Sequence, residues 1–217
     1  RAFITVADGT RLAARLWLPE QQPAPVLLEA LPYRMDDLTS AYSSEYERLC
    51  EEGGFAVCRL DIRGTGSSSG LATDEYTAEE HDDICQVIAW LAGQEWSNGR
   101  VGMYGTSWSG FNSLQVACLR PPALGAIAPI YASDDRYTDD VHYMGGALKA
   151  LDLVDWPLYM VACNALPPVP AVFGTGWREE WERRVDEVDP WLLRWFEEQA
   201  DGPYWRQGSL APDYDAI

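Results

Sequence analysis

Ser107 is the residue of this chain best suited to covalent chemistry. It lies in "VGMYGTSWSGF", Val101 to Phe111, where a short apolar run meets Gly-Thr-Ser-Trp-Ser-Gly. A serine hydroxyl is a poor nucleophile until a base takes its proton and fixed donors receive the oxyanion. A tight strand-to-helix turn serves that need. It lifts the hydroxyl clear of a sheet and aims a helix N-terminus at the developing charge. Glycines flank such a serine because the turn brings backbone segments too close for side chains. Gly105 stands two residues before Ser107 and Gly110 three after, with Ser109 in the usual place of the second glycine. The competing reading is a serine that only N-caps the following helix. Tyr33, in "LPYRMDD" after an earlier apolar run, offers a hydroxyl as a second oxyanion donor. Its competing use is plain packing.

The remaining chemical candidates have simpler uses. "DIRGTGSSSG", Asp61 to Gly70, places Gly64 and Gly66 after an apolar run, but Ser69 stands where a dinucleotide fingerprint needs its third glycine. A structural turn, with Asp61 and Arg63 in local hydrogen bonds or an ion pair, is the better reading. The chain has two histidines. His81, among Glu79, Glu80, Asp82 and Asp83, reads as a solvated helix residue, and His142 in "DDVHYMGGAL" has no clear relation to Ser107. Asp134 and Asp135 read either as a turn or as the acid of a variant triad. Cys50, Cys58, Cys85, Cys118 and Cys163 show no metal-type spacing and read as free thiols, mostly buried. Neither a metal nor a cofactor is expected.

The elements that must position Ser107 follow from hydrophobic patterning. Phe3 to Val6 and Arg11 to Pro19 form strands joined at Asp8-Gly9, a hairpin signal. Val26 to Ala30 and Phe55 to Asp61 read as buried strands, with a helix over Ser40 to Gly54 between them. Thr77 to Gln94 is an amphipathic helix, and Thr77 with Glu80 makes a capping box. Strand Arg100 to Gly105, helix Ser107 to Leu119 and strand Leu124 to Ser133 complete an alternation that predicts an α/β fold, a mainly parallel sheet with helices on both faces. Beyond Ser133 the texture changes: most of the ten tryptophans fall there, with two proline clusters and no convincing strand. "EEWERRVDEVDPWLLRWFEEQ" reads as two helices split at Pro190.

Composition limits the partners. The 217 residues are 47% hydrophobic and carry a net charge of −18, with a pI near 4.3. A nucleic-acid backbone is an unsuitable partner for so acidic a chain, as is an anionic membrane surface, and no apolar run has the length of a membrane span. Localisation and oligomeric state leave no mark on the sequence.

Taken together, the motifs resemble the cocaine esterase / X-prolyl dipeptidyl-peptidase family of α/β-hydrolases. The carriers are "DGTRL" in the hairpin, Pro32-Tyr33, Asp61 through Gly70, the run from Trp96 through Gly110, "ASDDRY" and "GGAL". The resemblance covers essentially the whole chain and makes the glycine spacing around Ser107 a family form. It implies Ser107 as nucleophile, with the backbone N–H of Trp108 and the hydroxyl of Tyr33 as the oxyanion hole. It also implies an inserted helical cap and a sheet incomplete at its C-terminal end. Residues 1–133 would be the first part of the catalytic core, 134–210 the cap, and 211–217 the start of the return to the core. The family's catalytic Asp and His would follow residue 217, so these residues alone are expected to be an inactive fragment. The implied activity is cleavage of an ester, amide or short peptide, X-prolyl dipeptides included. The alternative is a non-catalytic relative that binds ligands or proteins under its cap.

Overall fold

The computed structural model describes residues 1–38, 44–211 and 214–217. Strands β1 (Ala2–Thr5) and β2 (Arg11–Trp17) form the expected hairpin. Its turn uses the left-handed conformation of Gly9 and an Asp8 carboxylate that accepts the Thr10 N–H at 2.8 Å. Then follow β3 (Ala24–Leu31), α1 (Glu45–Glu51), β4 (Ala56–Asp61), α2 (Ala78–Ala92), β5 (Ser97–Thr106), α3 (Trp108–Cys118) and β6 (Leu124–Ile130). The helix expected over Ser40 to Gly54 is observed as α1; positions 40 to 43 lie outside the described residues.

The sheet order is β1-β2-β4-β3-β5-β6. β1 and β2 run antiparallel to their neighbours, while β3, β4, β5 and β6 pair in parallel. β6 forms an open edge. Strand alternation gives β3 two apolar faces. Val26, Leu28 and Ala30 join Ile84, Val87 and Leu91 of α2 and Phe111 and Val116 of α3 in the main core. Leu27 faces the other way, with Val57 and Tyr104, toward Tyr46 and Cys50 of α1. Helices therefore cover both faces, as the patterning predicts.

The order also fixes where a site can lie. From β3 the chain moves to β4 on one side, and from β5 to β6 on the other. The connections diverge between β3 and β5, which opens a crevice at the carboxyl ends of those strands. Tyr33 follows β3 and Ser107 follows β5, so both stand at that switch point.

Residues after β6 depart from the sequence reading in one respect. Tyr143–Met144 (β7) and Ala147–Leu148 (β8) form a small antiparallel ladder where no strand was expected. Gly145 and Gly146 both take positive φ, as a two-residue hairpin turn requires. Helices α4 (Asp152–Ala165), α5 (Pro170–Phe173), α6 (Trp177–Glu187), α7 (Trp191–Glu197) and α8 (Pro203–Arg206) follow, and α6 and α7 part at Pro190 as expected. This segment packs on the loops leaving the carboxyl ends of β3 and β4. Arg34 donates to Pro167 O at 2.8 Å, Arg184 to Gly66 O at 3.2 Å, and the Trp191 indole to Ala72 O at 2.8 Å.

Candidate active site

The turn from β5 into α3 is tight enough to need its glycines. A Cβ on Gly105, at φ +148°, would lie 2.4 Å from Ser109 Cβ, and one on Gly110 would lie 2.8 Å from Ile130 O. Ser109 fits where glycine is usual because its hydroxyl is used. It donates to Tyr104 O at 2.8 Å and accepts the Ala30 N–H at 3.2 Å. The β3–β5 ladder ends at Leu28–Met103, so Ser109 Oγ takes the backbone donor one step beyond.

Ser107 has φ 59° and ψ −114°, a backbone state that costs a non-glycine residue about 1–3 kcal/mol. Its N–H is donated to Ile130 O at 2.8 Å, and its carbonyl accepts the Phe111 N–H at 2.9 Å, the first turn of α3. Its side chain makes no capping hydrogen bond. The N-cap reading therefore fails: the serine is strained and half-buried, and its hydroxyl is not spent on the helix end.

Trp108, the next residue, is fully buried. Its ring lies 4.8 Å from Tyr76, 5.6 Å from Trp191, 6.2 Å from Trp156 and 6.5 Å, edge-on, from Tyr33. Its indole N–H is donated to Glu80 Oε1 at 2.7 Å, and Asn112 Nδ2 donates to the same oxygen at 2.8 Å. Burial pushes the Glu80 carboxyl up to about 7 against the pull of these donors. Burial likewise pushes the Tyr33 hydroxyl up to about 12, so it stays protonated, with the Trp156 indole bonded to it. The fold thus brings Tyr33, Ser107 and Trp108 to one place.

Asp61 and Arg63 are structural, as expected. The Asp61 carboxylate accepts the Met35 N–H at 2.8 Å and the Ser67 N–H at 3.2 Å, tying the loop after β4 to the loop after β3. A Cβ on Gly66 would sit 2.0 Å from that carboxylate, so the glycine admits Asp61 and leaves no phosphate cradle. Arg63 forks onto Asp83 with two 2.7 Å bonds and also reaches Asp8 and Thr10.

His81 corrects the sequence reading. It is buried, not solvated, and its Nε2 lies 2.7 Å from Gln115 Oε1 on α3. Its acidic neighbours suggested solvent, but α2 turns this face inward. His142 is fully buried among Trp156, Trp195 and Trp205, with Nε2 2.7 Å from Glu75 Oε1. Ligating atoms of Glu75, Asp140 and His142 lie within 4.8 Å of one another. Arg136 already gives Glu75 its positive partner, so the trio forms a buried charge network rather than a cation site. Burial and the nearby Glu75 push the Asp140 carboxyl up to about 6. Asp135 accepts the N–H groups of Tyr137 and Thr138, both at 2.9 Å, and Asp134 O accepts those of Leu210 and Ala211. Both therefore shape the turn after β6. The five cysteines are free, with Cys50, Cys58 and Cys163 buried and the other two half-buried. Among the described residues no helix is long and apolar enough to cross a membrane.

Residues 8–217 match the family model of X-Pro dipeptidyl-peptidase (S15 family). The chain belongs to this family. It is 35% identical over 157 residues to cocaine esterase from Rhodococcus sp. (strain MB1 Bresler), which takes in 71% of this chain and 27% of that protein. A CocE/NonD family hydrolase from Staphylococcus aureus superposes with a TM-score of 0.74 at 21% identity, over 96% of this chain and 37% of that one. An α-amino acid ester hydrolase gives 0.72 at 24% identity, over 97% and 39%. The chain thus spans well under half the length of these proteins. Its fold is that of the α/β-hydrolases.

Glu80, Ser109 and Trp156 were not singled out by sequence reasoning. Glu80 carries a signal, but it reads as a helix cap; Ser109 reads only as the residue in the second glycine's place.

Proposed function

We propose that the protein is a serine hydrolase that cleaves ester or amide bonds through an acyl-enzyme on Ser107. The single observation that carries this reading is the backbone of Ser107, held at φ 59° with its side chain unspent on the helix cap. Strain of that kind persists where the surroundings over-determine it, and it clusters at functional sites. Ser107 Oγ attacks the substrate carbonyl carbon as a base removes its proton. The backbone N–H of Trp108 and the hydroxyl of Tyr33 receive the oxyanion. Collapse expels the alcohol or amine, and water then releases the acid.

The reaction also needs a base for the Ser107 proton and an acid to orient that base. His81 is committed to Gln115 and His142 to Glu75, so neither is offered to Ser107. The segment 134–210 serves as a cap over the crevice, and its aromatic side chains near Trp108 suit an uncharged acyl group. Residues 1–133 form the first part of the catalytic core. Aryl esters and X-prolyl amides are the two substrate classes to compare.

In the full-length protein, Ser107→Ala should abolish turnover of whichever class is cleaved. Tyr33→Phe should lower kcat about 10²- to 10³-fold, the usual cost of one oxyanion donor. Full turnover in Ser107→Ala would overturn the reading and favour a binding role under the cap.

A further inference from the structure

We propose that Glu80 is a positioning residue for the turn that carries Ser107, fixing Trp108 so that its backbone N–H faces the oxyanion. The inference rests on the Ser107–Trp108 reading above and adds a residue to it.

Glu80 stands where the sequence predicts half of a capping box, and the structure divides the box in two. Thr77 Oγ1 accepts the Glu80 N–H at 3.1 Å, so the serviceable half of the cap is present. The Glu80 carboxyl, which would reach back to the N-cap N–H in that motif, bonds the Tyr76 N–H one residue earlier and also turns into the protein. One oxygen accepts from Trp108 Nε1 and Asn112 Nδ2. These donors are four residues apart on α3, so they lie on the same side of its first turn. A single acceptor on α2 therefore fixes the rotation of the turn that begins beside Ser107.

The other restraints on Trp108 are aromatic. Contacts with Tyr76, Trp191, Trp156 and Tyr33 fill space around the ring, with tilted or edge-on geometries. Such contacts tolerate small slides within the ring plane, whereas a 2.7 Å hydrogen bond to a carboxylate does not. Glu80 thus supplies the directional restraint. The protein also keeps a carboxyl buried there although burial disfavours its charge. Local rules are broken in this way chiefly where geometry serves function.

The test uses the full-length protein with 5-fluorotryptophan incorporated, its Trp108 resonance assigned with Trp108→Phe. Glu80→Gln keeps an acceptor oxygen; Glu80→Met keeps the volume and removes it. The expected result is a Trp108 fluorine resonance that moves and broadens in Glu80→Met and stays near its original position in Glu80→Gln. The Met variant should lose 10- to 100-fold in kcat with KM within about twofold, while Gln stays within about threefold of the original kcat. Should the Met variant not fold, Trp108→Phe removes the same bond from the other side and is expected to lose kcat by a similar factor. An unmoved resonance in Glu80→Met, unchanged kcat in whichever bond-deleting variant folds, or a Gln variant as impaired as that variant would overturn the proposal. Ser107→Ala is assayed in parallel. If it retains turnover, the Ser107 reading falls, while the fluorine resonance still decides whether Glu80 holds Trp108.

Discussion

Replacing Ser109 with alanine removes one oxygen and leaves two backbone groups short of a partner. The Ala30 N–H, just past the last β3–β5 pair, loses its acceptor, and Tyr104 O loses a donor. Both bonds are buried, and Ser109 itself is fully buried. Each stranded buried group costs about 1–3 kcal/mol. The carbonyl has a second lone pair and sits at the low end, so the sum is about 3 kcal/mol. No cavity forms, since the methyl carbon remains. For a chain of this size that corresponds to a fall in melting temperature of roughly 6–12 °C. Ser109→Gly should be worse by about 1 kcal/mol, because α3 then starts with another flexible residue. That ordering is informative, since glycine is the usual occupant of this place in such turns. Urea unfolding followed by tryptophan fluorescence measures it, with the slope against urea unchanged. A loss below about 0.5 kcal/mol for Ser109→Ala, or a Gly variant more stable than the Ala variant, would refute the reasoning.

Other variants probe separate parts of the account. Gly105→Ala should give little folded protein on expression, because its Cβ would lie 2.4 Å from Ser109 Cβ and 3.0 Å from Glu29 Oε1 at a positive φ; circular dichroism of a well-folded, active Gly105→Ala would contradict this. Glu80 has a folded value near 7 against an ordinary value of 4.5, so the native state binds its proton more readily, and the group's contribution to stability falls as pH rises through that window. Glu80→Gln should therefore gain on the original protein by about 3 kcal/mol between pH 4 and pH 8. Asp61 and Asp140 titrate alike in both and cancel in the difference, so a pH-independent difference in urea unfolding would count against it. Arg63→Lys cannot reproduce the fork onto Asp83 and should cost about 1–2 kcal/mol in the same assay; a neutral substitution would show that this ion pair does not hold the hairpin to α2.

The sequence made the frame legible where one local signal sufficed. Asp8-Gly9 marks a hairpin, continuous apolar runs mark buried parallel strands, and Gly105, Ser107 and Gly110 mark the turn between β5 and α3. What remained hidden depended on contacts between distant segments. His81 carries acidic neighbours on either side, and only the packing of α2 on α3 shows that it meets Gln115. Glu80 matches a capping pattern, yet its carboxyl is claimed by Trp108, 28 residues away. β7 and β8 have two residues each, too few for an alternating pattern, although Gly145-Gly146 was a usable turn signal. The density of tryptophans beyond Ser133 was plain, but which of them meet Trp108 was not.

The central claim is that Ser107 is the nucleophile. The most direct measurement treats the full-length protein with a phosphonylating active-site probe and maps the adduct by peptide mass spectrometry. The account predicts one adduct, on Ser107, formed in step with loss of turnover and absent from Ser107→Ala. An adduct on another residue, or turnover that survives full labelling, would contradict it.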